Sequence, residues 1–202
     1  MAKVKVKKQD TFIDMTAMSD VTVLLLTFFM LTSTFLPKEP VQVLTPASVS
    51  EVKIPENDVL TILIDPQGKV FLNMDRPENK VAVLKLMGQD YGITFDDKQI
   101  KSFVELTHVG VPMNRMSGLL NLPMDEQSAE IKNFGVPTDS TNNQLSRWVK
   151  HFREVNEDAS IAIKADQSTP YPLVDGVMKT LIELKENRYS LITTLRGMPE
   201  GL

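Results

Sequence analysis

One carboxylate stands where an ionised group is costly. In "TAMSDVTVLLLTFFM", residues 16–30, Asp20 is the sole charge within a run of apolar residues built like a membrane-spanning helix. An acid at the centre of such a helix costs about 2.5 to 3.5 kcal/mol on insertion scales, so intramembrane acids face a bundle interior or an aqueous cavity. A chain with one span has no interior of its own and must borrow one, from a second copy or from a partner membrane protein. At about 100° per residue, Thr16, Asp20, Thr27 and Thr34 share an arc of about 40°, while Leu25, Leu26, Phe28 and Phe29 point elsewhere. The acid therefore lies on a polar stripe. A carboxyl on a face lined by hydroxyls can bind and release protons across the membrane potential, and one proton moved through about 100 mV supplies about 2.3 kcal/mol. The competing reading is that the threonines bond back to their own helix and that Asp20, a few residues in, reaches the interface.

No other constellation offers chemistry. The chain has no Cys, and His108 and His151 stand apart without a metal-ligand spacing, so neither a metal nor another cofactor is expected. There is no phosphate-binding glycine loop and no nucleophile elbow, and hence no catalytic residue to name. Asp139 or Ser140 reads as a helix cap, Asp14 as a helix-start residue at the cytoplasmic headgroups, and Met113, Met116 and Met124 as core filler.

The elements that must position Asp20 follow from length and charge. The 202 residues allow one domain and an anchor, and a net charge of −4 gives no footprint for nucleic acid. Residues 15–36 number 22 and reach roughly 33 Å as a helix, enough to cross a hydrocarbon core of about 30 Å. Lys3, Lys5, Lys7 and Lys8 keep residues 1–14 in the cytoplasm by the positive-inside rule, which places the chain after about residue 37 outside. A cleaved signal peptide fits less well, because the run is long, holds an acid and lacks a small-x-small site.

Beyond the span, Pro37, Pro40, Pro46 and Pro55 mark residues 37–57 as an extended linker. Residues 58–202 read as a small α+β, or α/β-like, domain. Val59–Ile64 and Lys69–Asn73 form a hairpin about Asp65-Pro66-Gln67-Gly68, and Val81, Leu84, Leu86 and Met87 mark a helix after Pro77. Thr94 with Asp97 predicts the capped start of a helix ending near Leu106. Between about 107 and 140 the signals weaken into an insertion with short helices. A helix over Asn143–Val155, a strand in "ASIAIKA", a helix over Pro172–Lys185 and a strand in "YSLITTL" close the chain, the last three as a right-handed βαβ unit. The helix from Pro172 is expected to bury Val174, Val177, Met178, Leu181, Ile182 and Leu184.

The stretch "IDMTAMSDVTVLLLTFFMLTSTF" resembles the signature of the ExbD/TolR family of biopolymer transport proteins, with Thr16 and Asp20 on matching positions. Ala17 stands where the family usually has Pro, and Ser19 where it usually has an apolar residue. A second stretch, "IAIKADQSTPYPLVDGVMKTLIELKENRYSLIT", is similar to the family's last strand-turn-helix-strand, with Ala165, Asp166 and Tyr171 on matching positions. The resemblance implies an inner-membrane stator subunit, single-pass, with its C-terminal domain in the periplasm. Two copies of its helix would lie inside a ring of an ExbB/TolQ-type membrane protein, with Asp20 as the protonatable group and Thr16 beside it. The periplasmic domains would form a homodimer and couple proton-motive force to a TonB-like energy transducer. In the TolR branch the coupling is to the cell envelope, which leaves open an anchoring module whose Asp20 serves assembly only.

Overall fold

The computed structural model describes residues 15–33, 43–48, 58–139 and 141–195. The chain divides into two compact units, Met1–Pro37 and Lys38–Leu202, and each is described by itself.

The first unit holds helix α1, Thr16–Thr32, with no buried residue. Its 17 residues rise about 25 Å, and among the described residues no helix is long and apolar enough to cross a membrane. The expected helix over residues 15–36 is thus shortened at its carboxyl end. Ser33 turns out of the helix with ψ 109°, and residues 34–42 lie outside the described ones. Thr22, Thr27 and Thr32 each donate a hydroxyl to a carbonyl one turn back, Thr27 to Leu24 at 2.9 Å.

In the second unit, strand β1 (Ala47–Ser48) precedes the hairpin of β2 (Val59–Ile64) and β3 (Val70–Met74). The expected turn closes it: Asp65 Oδ1 accepts from the amides of Gln67 and Lys69, and Gly68 takes φ 82°, a conformation that side chains with a Cβ resist. Helix α2 (Pro77–Tyr91) follows, with Val83, Leu84 and Met87 buried. Helix α3 (Asp97–Glu105) is capped by Asp96 with Gln99 rather than by Thr94 with Asp97. The Asp96 frame wins because the Gln99 side chain is long enough to reach back to the cap amide, which it does at 3.1 Å.

The insertion contains α4 (Met113–Leu119), α5 (Met124–Asn133) and a small ladder of β4 (Thr138–Asp139) with β5 (Asn142–Asn143). Met113 and Met116 are buried as expected, whereas Met124 is exposed. Helix α6 (Gln144–Val155) starts not on Asp139 but on Asn143, whose side chain accepts from the Ser146 amide; Ser140 lies outside the described residues. The later cap follows from the β4–β5 ladder, which holds Asp139 as a strand residue.

Strand β6 (Ser160–Ala165), helix α7 (Tyr171–Glu183) and strand β7 (Tyr189–Leu191) form the expected βαβ unit, with β7 parallel to β6. The main sheet has the order β3-β2-β6-β7, antiparallel only between β2 and β3. α7 buries Val177 and Leu181 with Thr180, but Ile182 is 54% exposed, because the helix turns that position away from the core. The last predicted strand is broken: β8 (Thr194–Leu195) leaves the main sheet and pairs in parallel with β1. Residues 43–48, read as linker, therefore touch the domain, and Val43 packs on its core. That core includes Phe71, Phe103, Phe152 and Trp148, with Trp148 stacked on Phe103 at 6.2 Å between ring centres.

Candidate functional site

The continuous helix α1 carries Thr16, Asp20 and Thr27 along one line, and all are exposed. Thr34 lies outside the described residues, as does Asp14. The Thr27 hydroxyl is engaged by its own helix. Asp20 stands one turn into a helix on which Leu24, Phe28 and Leu31 are all more than half exposed. Large apolar side chains exposed along a helix call for a cover of lipid or protein, and the acid sits among them.

The other positions singled out in the sequence gather at the carboxyl end of β6. Ala165 ends that strand opposite Ile64. The Asp166 amide donates to the Ile64 carbonyl, and Asp166 Oδ1 accepts from the Ser168 hydroxyl at 2.6 Å and amide at 2.9 Å. Oδ2 accepts the Leu44 amide at 2.9 Å, while the Gln167 amide returns a hydrogen bond to the Leu44 carbonyl. The Ser168 hydroxyl, then its amide and that of Leu44, hold the Asp166 carboxyl below the usual carboxylate range. Asp166 is thus a knot tying β1's approach to the turn after β6. Tyr171 opens α7 and is 69% exposed.

Two arrangements carry no signal in the sequence. The Arg153 guanidinium grips both Glu186 carboxylate oxygens, at 2.8 and 2.6 Å, and donates to the carbonyls of Glu157 and Ala159. It borders an open polar cavity of about 540 Å³ that Lys185 and Arg188 also line. Because those contacts use four of the guanidinium's five N–H donors, it is a structural tie rather than a free anion hook. His151 lies between Asp90 and Glu154, partners that sequence spacing pairs only in the case of Glu154. Among the described residues, no group of three or more His, Cys, Asp or Glu could hold a metal ion.

Comparison with curated proteins gave no match, and comparison with solved structures gave none. The model of one family, "Biopolymer transport protein ExbD/TolR", matches residues 7–195, nearly the whole chain and with it both α1 and the knot at Asp166. Its members are inner-membrane-anchored, transport-associated proteins that couple energy with membrane-protein partners, not enzymes. A match of that extent, over a chain whose second unit is a mixed α+β domain, settles its membership: this chain belongs to the ExbD/TolR family of biopolymer transport proteins.

Proposed function

We propose that the protein is the proton-motive-force-driven stator subunit of an inner-membrane ExbB/ExbD-type motor that energises a TonB-like transducer for outer-membrane transport. The observation that carries this reading is Asp20, one charge on an uncovered apolar helix, inside the segment the family model matches. Insertion into a ring of an ExbB/TolQ-type partner supplies both the apolar cover for Leu24 and Phe28 and the polar interior that the carboxyl needs. The described helix is short for a bilayer, and a short span is accommodated by local thinning or by association with other helices, which favours the same arrangement. The cytoplasmic N-terminus, the single pass, the homodimer and the periplasmic position of residues 58–202 all belong to this proposal. Thr16, Thr27 and Thr34 would face the pore beside the acid.

The test is Asp20→Asn in cells that carry the partner protein. Asn keeps size and hydrogen bonding but cannot carry a proton, so transport is lost while the partner still co-purifies. Transport retained with the complex intact would refute proton carriage and leave the TolR-like anchoring role, in which Asp20 serves assembly only.

A further inference from the structure

The packing of α2 on α6 contains a histidine with a carboxylate at each ring nitrogen. His151 Nε2 is 2.8 Å from Asp90 Oδ2 on α2, and Nδ1 is 2.9 Å from Glu154 Oε2 on α6 itself. The His151 side chain is only 10% exposed, and those of Asp90 and Glu154 are 38% and 48% exposed. A neutral imidazole offers one N–H and one lone pair, whereas an ionised carboxylate only accepts. With both carboxylates ionised, a neutral ring would aim its lone pair at one of them. The two contacts are hydrogen bonds together only when the ring carries both protons.

The charges around this group come from the two helices. On α6, Arg147 and Lys150 act on Asp90, and Lys150 Nζ also reaches Glu154 at 3.9 Å. On α2, Tyr91 presents its ring to the Arg147 guanidinium at 4.9 Å, which keeps that cation beside the cluster. Among the described residues, the ion pairs of the ring are those with Asp90 and Glu154, and neither α7 nor β4 adds one. We propose that His151 is a proton-operated clamp between α2 and α6, closed by the imidazolium and loosened when the ring surrenders its second proton.

The sign follows from which form binds. The charged ring is the form that donates to both carboxylates, so the clamp holds while the ring carries both protons and slackens when it gives one up. Asp90 stays ionised well into the acid range, since the His151 hydrogen bond, more than the nearby cations, keeps its carboxyl below the usual range. The clamp is therefore closed while Asp90 is ionised and the ring carries both protons. Because it joins α2 to α6, its opening loosens the helices that pack Met87 and Phe152 into the core.

The experiment uses the full chain in detergent micelles, with nitrogen-15 in the histidine rings and His108 assigned separately. Ring nitrogen shifts and the thermal midpoint are followed from about pH 5.5 to about pH 8.5. The expected result is a doubly protonated His151 at the acid end, and a midpoint that falls by about 2–4 °C as the ring loses a proton. Asp90→Asn, at a part-exposed position that tolerates the change, and His151→Gln should both flatten that fall. A His151 ring that stays a single neutral tautomer across the range would overturn the proposal. So would a midpoint as pH-dependent in Asp90→Asn as in the parent chain.

Discussion

A methyl group at residue 110 tests how the insertion is bound to the sheet. A Cβ built on Gly110 would come within 2.2 Å of Phe71 Cδ1, 2.7 Å of Cε1 and 3.0 Å of Ile131 Cγ2. Carbon atoms in contact prefer about 3.5 Å or more, so the Phe71 ring would have to retreat by about 1.3 Å. It has nowhere to go, being fully buried on β3 and paired with Leu63. Overpacking of this kind costs about 1–3 kcal/mol, which lowers the melting midpoint of a chain of this size by about 2–12 °C. The assay is urea and thermal unfolding of Gly110→Ala, read by the fluorescence of Trp148, the chain's sole tryptophan and part of the same core. The urea midpoint should fall at unchanged slope. Phe71→Leu added to Gly110→Ala should give back part of the loss, with a coupling of about 0.5–3 kcal/mol. Unchanged stability in Gly110→Ala, or strict additivity with Phe71→Leu, would refute the close approach and with it this account of how the insertion docks.

Gln144 is buried with its Oε1 accepting the amide of Met113, the first residue of α4, at 2.9 Å. Gln144→Leu strands that amide away from water and should cost about 1–3 kcal/mol, visible in the same unfolding curves; a neutral result would mean the amide finds another partner. At Asp166 the sign of the pH effect is fixed by its depressed carboxyl titration. The carboxylate stabilises the knot above the ordinary Asp range and releases it as pH falls through the lower, folded-state value. The protection of the Leu44 amide against hydrogen exchange, taken relative to the intrinsic rate at each pH, should fall on such acidification, and already at neutral pH in Asp166→Asn, whose amide nitrogen cannot accept; equal protection in both chains would count against it.

Local signals in the sequence predict local structure well and distant pairings poorly. The hairpin was legible because Pro66 and Gly68 fix the turn between two β-rich runs, and α7 because its apolar residues repeat with a helical period. Asp20 stands out as a candidate for an energetic reason: an acid in an apolar run is costly. The Asp166 position was found only through its likeness to a family pattern, and its partner Leu44 lies 122 residues away in a stretch that reads as linker. His151 meets Asp90 across 61 residues and Arg153 meets Glu186 across 33, so no spacing rule pairs either couple. The two-residue ladder of β1 with β8 is too short to leave a period-2 pattern.

The insertion was illegible because it is held by interactions that leave no periodicity. Buried glutamines fasten it: Gln99 to Ser117 and Asn121, Gln127 to the Leu122 carbonyl, and Gln144 to Met113. Its other anchor is the outer edge of β3, the terminal strand on that side of the main sheet. An uncovered edge presents unpaired amides and carbonyls that invite another chain to add. Here Leu72 and Val109 exchange two backbone hydrogen bonds, at 2.8 and 2.7 Å, and the Val136 amide donates to the Val70 carbonyl at 2.8 Å. The inserted chain thus leaves the edge at Val109, folds as α4 and α5, and returns to it at Val136. Closing so long an excursion costs little, because loop entropy grows only with the logarithm of length. The return also buries Met113, Met116 and Ile131 in the common core. The insertion is therefore part of the domain's fold rather than an appendage, which is why the Gly110 contact should be felt in the unfolding of the whole domain.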